Sequence, residues 1–192
     1  MKPTLYGFPP STYTQTALMT AAEAGVDVEL GPLEFKKASH LALHPYGKMP
    51  AFEHDGVRLF ETLAIVTYLD RVFGGSKLTP SDPVAHARML QWVSVAIDYA
   101  YEDLVNGMHS DAPSTEAITA ACEQLKLIDA GLADGEFLAG SSFSLADLFL
   151  YPMIEYASRR MDEGVWSGLP EVRRWRAAVA ARPSVRARKA QA

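Results

Sequence analysis

The pattern of apolar residues changes at a Pro- and Ser-containing segment over residues 76–83, and this change constrains the fold more than any other feature. Before the segment, short strand-like runs alternate with helical ones. After it, we find no convincing strand, and the periodic segments repeat as helices do. The sequence therefore predicts an α/β domain over residues 1–75, a linker over 76–83 and an all-α helical bundle over 84–192.

The first domain is predicted to begin with a strand, a helix and a second strand. A short apolar run over residues 4–7 is typical of a buried strand, and residues 26–30 alternate apolar and polar side chains. Between them, Ser11 is a favourable residue to cap a helix at its start, and Gly25 is a favourable residue to end it. A loop or short helix is expected next.

A β-hairpin and a helix are predicted to complete this domain. His54-Asp55-Gly56 separates two short runs, 51–53 and 57–60, in which apolar and polar residues alternate, and Asp-Gly between such runs is a strong hairpin signal. A helix over 61–73 follows. The order of elements indicates a small mixed sheet packed against helices.

The second domain is predicted to contain only helices. Ser144 and Asp147 form a capping box in which the carboxylate reaches back to the Ser144 amide, so a helix should begin there. The predicted helices span 83–106, 115–133, 144–161 and 170–181, with a short one after Pro183.

Composition excludes several classes of protein. The single cysteine, Cys122, rules out an internal disulfide framework and a Cys-based metal site, and the five histidines lack metal-ligand spacing, so no metal is expected. A formal charge of -5 argues against a nucleic-acid binder. No apolar run approaches the roughly 18 residues of a membrane span, and no signal peptide is evident. We expect a cytoplasmic protein without a membrane partner.

Two segments are candidates for a binding site. If the Met49–Pro50 bond is cis, Met49 presents its backbone amide and carbonyl to an extended peptide; a trans proline in a plain turn is equally compatible with the sequence. Glu61-Thr62 lies at a predicted helix start, where free amides and the helix dipole favour a carboxylate and Glu61 can pair with an ammonium group. A simple helix cap is the alternative.

These segments resemble the glutathione transferase family. The run Gly47-Lys-Met-Pro-Ala-Phe, the Asp55-Gly56 hairpin and the run from Leu59 to Leu69 are similar to its amino-terminal domain, and Phe143-Ser-Leu-Ala-Asp147 is similar to its carboxy-terminal folding motif. The resemblance extends over essentially the whole chain, and the chain looks like a Ser-dependent member of the family, similar to phi-like bacterial members. It implies a thioredoxin-like domain followed by an all-α domain, usually as a homodimer.

The resemblance implies how glutathione would be held. Met49 would pair its backbone with the cysteinyl unit beside a cis Pro50, Glu61 and Thr62 would hold the γ-glutamyl end, and Lys48 would line the groove. Two departures affect this site. His44 replaces the usual Asn, and Phe35 lies where plant relatives often have a His for the glycine carboxylate, so Lys36 or Lys37 would supply that cation instead.

Activation of the glutathione thiol is assigned to Ser11. The thiol pKa is near 8.5 and the thiolate is the nucleophile, so a hydroxyl donor at a helix start would promote ionisation. Ser11 lies where Ser-dependent members have their catalytic serine, although an ordinary N-cap is an alternative. If the loop register differs, Thr12 or Tyr13 would be the hydroxyl donor to the thiolate in place of Ser11. Tyr6 is a weaker candidate for the same role.

The implied activity is conjugation of glutathione to hydrophobic electrophiles, or peroxide reduction. A non-catalytic binding or scaffolding protein is the main alternative, and a glutathione-dependent isomerase or dehalogenase is another. The candidate residues for the wall of an acceptor-substrate pocket are Phe8, Tyr13, Tyr99, Tyr101, Met108 and His109. For the last four, which lie near the end of the first long predicted helix, a place in the core or in a dimer contact is an equally good explanation.

Overall fold

The first third of the chain forms a four-stranded mixed sheet in a computed structural model that describes residues 2–189. The strand order is β2-β1-β3-β4, with β1 parallel to β2 and antiparallel to β3. The strands are β1 (Thr4–Tyr6), β2 (Glu29–Gly31), β3 (Ala51–His54) and β4 (Val57–Phe60). The mixed sheet expected from the sequence is confirmed. Residue 1 and residues 190–192, which the predicted domains include, lie outside the described residues.

The predicted hairpin joins β3 to β4. Asp55 and Gly56 both have positive φ angles, 46° and 81°, as a tight two-residue hairpin turn requires. The resulting register pairs Phe52 with Leu59 across the hairpin and with Leu5 of β1 on its other side. Leu5 and Phe52 are fully buried, so this register places the sheet's apolar face in the core.

Three helices lie in the same part of the chain as this sheet: α1 (Thr12–Ala24), α2 (Ala38–Leu43) and α3 (Thr62–Val72). Gly25 ends α1 in the left-handed conformation, with φ 74°, as predicted. Helices α1 and α3 pack together, burying Met19 of α1 and Ile65 of α3. The N-terminal ends of α1 and α3 contribute residues to the candidate site.

The last helix, α8 (Pro183–Lys189), groups with the first unit, which otherwise ends at Lys77. Val185 is fully buried, and the Ser184 hydroxyl donates a 2.5 Å hydrogen bond to the carboxylate of Glu23 in α1. The predicted division placed this helix in the second domain. The structure differs because α8 packs on α1, a contact between residues far apart in sequence.

The second unit, residues 78–182, is helical. Its helices are α4 (Pro83–Val95), α5 (Thr115–Gly131), α6 (Leu145–Ser158) and α7 (Pro170–Ala180), with two π-helical segments, Ala96–Ala100 and Glu102–Asn106, following α4 and a 3₁₀ turn at Glu163–Gly168. No helix within residues 2–189 combines the length and apolar character that crossing a bilayer requires.

Asp147 organises the core of this unit. Its carboxylate accepts hydrogen bonds from the Ser144 backbone N–H (2.8 Å) and hydroxyl (3.1 Å), from the Leu138 N–H (3.1 Å) and from the Trp175 indole N–H (2.8 Å). The side chain is fully buried, and burial raises its pKa while these donors lower it. The capping interaction predicted at this helix start is confirmed, and it extends to a second helix through Trp175.

Candidate active site

Ser11 lies at the start of α1 and caps it. Its hydroxyl oxygen accepts a 3.4 Å hydrogen bond from the Thr14 N–H, and its own N–H donates to the Phe8 carbonyl at 3.0 Å. A serine hydroxyl both accepts and donates, so the cap leaves the O–H proton available to another acceptor. Capping and thiolate binding are therefore compatible roles for this one hydroxyl.

The other hydroxyls near this loop are less suitable. Tyr6 donates its phenolic proton to Glu53 at 2.7 Å, and this hydrogen bond raises the pKa of Tyr6. Thr12 is buried, and Tyr13 is half-buried. A phenol already committed to a carboxylate is a poor donor for a thiolate, which favours Ser11 over Tyr6.

The Met49–Pro50 peptide bond is cis, and Ala51 begins β3 directly after it. The Phe8 N–H lies 3.5 Å from the Met49 sulfur, which connects this turn to the Ser11 loop. The fold therefore brings together Ser11 and the Lys48-Met49-Pro50 run, which the sequence separates by more than thirty residues.

Glu61 and Thr62 lie where β4 turns into α3. Glu61 is exposed and has φ 68° and ψ 121°, a conformation that non-glycine residues rarely adopt and that costs of order 1–3 kcal/mol. Thr62, by contrast, is 7% exposed. Strain of this kind is concentrated at binding and catalytic sites, and here it falls on an exposed glutamate directly before the free amides that begin α3.

A buried histidine holds the segment that carries the candidate lysines. The Lys36 N–H donates to His40 Nδ1 at 2.9 Å, and His40 Nε2 lies 2.8 Å from the Lys48 carbonyl oxygen. The ring stacks on Phe35 at 5.3 Å, and Phe35 contacts Phe8 at 5.8 Å. The sequence carries no local signal for this role of His40, because its partners are defined only by the loop conformation.

His44, noted in the sequence only as a departure, is also buried here. Its Nδ1 atom has no hydrogen-bond partner among the described residues, and its ring packs 5.2 Å from the Phe60 ring. Burial lowers its pKa, while the nearby Glu61 carboxylate acts in the opposite direction. His44 is therefore a neutral packing residue at the base of this segment.

The acceptor-pocket candidates differ in exposure. In the first unit, Phe8 is exposed beside the Ser11 loop and Tyr13 is half-buried. In the second unit, Tyr99 is 62% exposed within a π-helical segment, a feature often found at functional sites, whereas Met108 is fully buried and presents no surface to a ligand. These assignments stay predictions.

No group of three or more His, Cys, Asp or Glu side chains arranged to hold a metal ion occurs in the part of the chain that the structure describes. The donors assembled at the candidate site are instead hydroxyls, backbone amides and lysines. Such a set suits an extended organic anion, and the acidic Glu61 suits an ammonium group on the same molecule.

A thioredoxin-like unit with a mixed sheet, followed by a helical unit, is the glutathione S-transferase architecture. Family models for the glutathione S-transferase N-terminal domain and C-terminal domain match residues 1–71 and 111–178. The chain belongs to the glutathione S-transferase family of enzymes, and its activity is glutathione conjugation.

Plant proteins are among its relatives. Glutathione S-transferase PM239X14 of Arabidopsis thaliana is 34% identical, with 91% of this chain and 89% of that protein covered. Glutathione S-transferase PARB of Nicotiana tabacum is 29% identical, with 94% and 93% covered. The crystal structure of glutathione transferase F7 from Populus trichocarpa matches with a TM-score of 0.84 at 27% identity, covering 97% of each chain. A resemblance to bacterial members in particular stays a prediction.

Proposed function

We propose that Ser11 activates glutathione by donating a hydrogen bond to its thiolate. The observation that supports this most directly is the geometry of Ser11, whose oxygen accepts from Thr14 and whose proton remains available. Its position at the beginning of α1 adds the positive end of the helix dipole. Each unit by which the thiol pKa falls corresponds to about 1.4 kcal/mol of preferential thiolate binding.

The tripeptide would bind in an extended conformation along the cis-proline turn. Met49 would pair its backbone with the cysteinyl unit, with Pro50 beside it. Glu61 would bind the γ-glutamyl ammonium group, and Thr62 with the first amides of α3 would bind its α-carboxylate. Lys36 and Lys48 would attract the glycine carboxylate.

In the reaction, the glutathione sulfur attacks an electrophilic carbon, a carbon–sulfur bond forms and the leaving group departs with its electron pair. The thiol proton passes to solvent before the attack. Ser11 stabilises the anion without a covalent enzyme intermediate or a metal. A small hydrophobic electrophile is the proposed second substrate; attack on a peroxide oxygen would be the reductive variant. One solved structural relative, glutathione S-transferase-I, is described as bound to lactoylglutathione, which is consistent with glutathione-derived ligands.

We also propose a cytoplasmic homodimer with a role in detoxification, as the resemblance implies. Exposed apolar side chains of the second unit, such as Val84 and Leu127, offer surface that a second copy would cover. Light scattering at micromolar concentration tests the dimer, and a monomeric mass would contradict it.

Glutathione-agarose capture followed by a conjugation assay with 1-chloro-2,4-dinitrobenzene tests the function. Capture with glutathione-dependent product formation is expected. Capture without turnover of any electrophile in a panel would favour the binding-protein alternative. Absence of capture would exclude the proposed function.

A further inference from the structure

His40 is 1% exposed, yet both nitrogens of its ring are engaged with backbone groups of the candidate site. The Lys36 N–H can only donate, so Nδ1 accepts and has no proton. The Lys48 carbonyl can only accept, so Nε2 donates its proton. The two hydrogen bonds therefore require the neutral tautomer with the proton on Nε2.

The backbone that His40 holds is unusual at both ends. Lys36 has φ 61°, a left-handed conformation that costs a non-glycine residue about 1–2 kcal/mol. Lys48 immediately precedes the cis bond between Met49 and Pro50. A side chain that bonds both backbones links the two segments directly and sets the separation of these two backbone groups.

The Lys36 side chain lies close to the Gly47-Lys48 segment. A methyl group built on Gly47 would lie 3.8 Å from Cγ of Lys36, so the Lys36 side chain passes beside the residue that precedes Lys48. The Lys36 ammonium group lies 5.4 Å from the centre of the Phe35 ring, the same ring that stacks on His40. His40 thus contacts both the backbone of Lys36 and the ring beside its ammonium group.

We propose that His40 is a positioning residue that holds Lys36 and Lys48 in the arrangement that recognises the glycine carboxylate of glutathione. This inference rests on the proposed function. It adds one specific consequence: His40 is required for binding the carboxylate of glycine, the third residue of the tripeptide, and is not required for the thiol chemistry. Removing the ring separates the lysines but leaves Ser11, Glu61 and Thr62 in place.

The test compares glutathione with γ-glutamylcysteine, which has the same thiol and γ-glutamyl group but lacks glycine. For His40→Leu we expect KM for glutathione to rise about tenfold, kcat to stay within about twofold, and KM for γ-glutamylcysteine to stay within about twofold. His54→Phe is a matched control, since His54 is a half-buried histidine of the same unit, bonded to Tyr68 outside the site. It should preserve the ratio of the two KM values.

Two conservative variants separate the two hydrogen bonds. The Gln amide nitrogen of His40→Gln reaches the position of Nε2 and can donate to Lys48, whereas the Asn oxygen of His40→Asn can accept from Lys36. Relative to His40→Leu, each variant should recover part of the preference for glutathione over γ-glutamylcysteine, measured as the ratio of the two KM values. In a Lys36→Met, Lys48→Met background, His40→Leu should have no further effect on either KM.

Equal increases in KM for both thiols, a fall in kcat, or a full additive effect in the double-lysine background would overturn the proposal. So would failure of all three His40 variants to fold, since the histidine would then be a structural requirement. If the wild-type protein fails to use glutathione at all, the proposed function itself is wrong, and that result is separate from the comparison of variants.

Discussion

The hydroxyl oxygen of Ser11 lies 3.4 Å from the backbone nitrogen of Thr14, so the residue proposed to activate glutathione is also the N-cap of α1. One oxygen thus stabilises the helix as an acceptor and leaves its hydroxyl proton available to donate. The arrangement separates two effects of substitution, one on stability and one on chemistry, and both are measurable.

Ser11→Ala should lower kcat for conjugation well over tenfold, with little change in glutathione affinity. The stabilised thiolate loses its donor, while the backbone and helix-end contacts to the tripeptide remain. The same change should lower the free energy of unfolding by about 1 kcal/mol because the cap is lost. Stopped-flow titration of the bound thiol should show its pKa rising towards that of free glutathione.

Tyr6→Phe, Thr12→Ala and Tyr13→Phe are the controls for this assignment, and each should retain most of the activity. Tyr6 is the matched control because its hydroxyl already donates a hydrogen bond to the Glu53 carboxylate. An unchanged thiol pKa in Ser11→Ala, with a loss of activity in one of these three, would transfer the role to that residue.

Glu61 should show opposite effects on binding and stability. Glu61→Gly removes the Cβ atom from a strained backbone, so the free energy of unfolding should rise by up to about 1 kcal/mol while KM for glutathione increases at least tenfold. Glu61→Gln keeps the strain and removes the charge, so only KM should change. Thermal unfolding and steady-state kinetics measure the two effects, and a destabilised glycine variant would refute the strain argument.

His44 should make the stability of the first unit depend on pH. Burial lowers its folded-state pKa below the unfolded value of 6.5. Above pH 6.5 both states are neutral and the full stability is present. As the pH falls from 6.5 towards the folded pKa, only the unfolded state binds the proton, and stability decreases by at most about 1.4 kcal/mol per pH unit.

His44→Asn removes that titration and keeps a polar side chain at this position. Urea unfolding between pH 8 and pH 5 should show a smaller loss of stability for the variant than for the wild type. Glu61, His40 and Lys48 act on His44 electrostatically and remain in both proteins, so the difference isolates His44. Parallel pH profiles would show that His44 is not kept neutral by the fold.

Asp147→Asn should destabilise the protein by about 3 kcal/mol. One of the two carboxylate oxygens becomes an NH₂ group that faces N–H or O–H donors, which leaves them buried and unpaired. Asp129→Asn is the matched control, since its Oδ1 accepts one hydrogen bond from the Val172 N–H and an amide oxygen can replace it. A loss below about 1 kcal/mol in both variants would contradict this account.

Elements with local signals were predicted well from the sequence. Asp55-Gly56 specifies its turn through positive φ angles, and Gly25 ends α1 for the same reason. Asp147 reaches Ser144, three residues away, as the capping pattern indicates. In each case the residues that decide the structure are neighbours in the chain.

Features that depend on distant partners were predicted less well. The second strand was expected over 26–30 from its alternation, but β2 is Glu29–Gly31 because pairing with β1 begins where Thr4 meets Glu29. The role of His40 depends on a loop that brings Lys36 and Lys48 to opposite edges of one ring. No spacing rule in the sequence encodes that contact.

The packing of α8 on α1 affects how the protein is made. A ribosome releases all of the second unit before Val185 emerges, so the apolar face of α1 that Val185 covers stays uncovered throughout that time. The first unit to be synthesised is therefore the last to complete its core. In a nascent chain that surface therefore stays exposed to solvent longest, even though the sheet and the candidate site lie at the beginning of the chain.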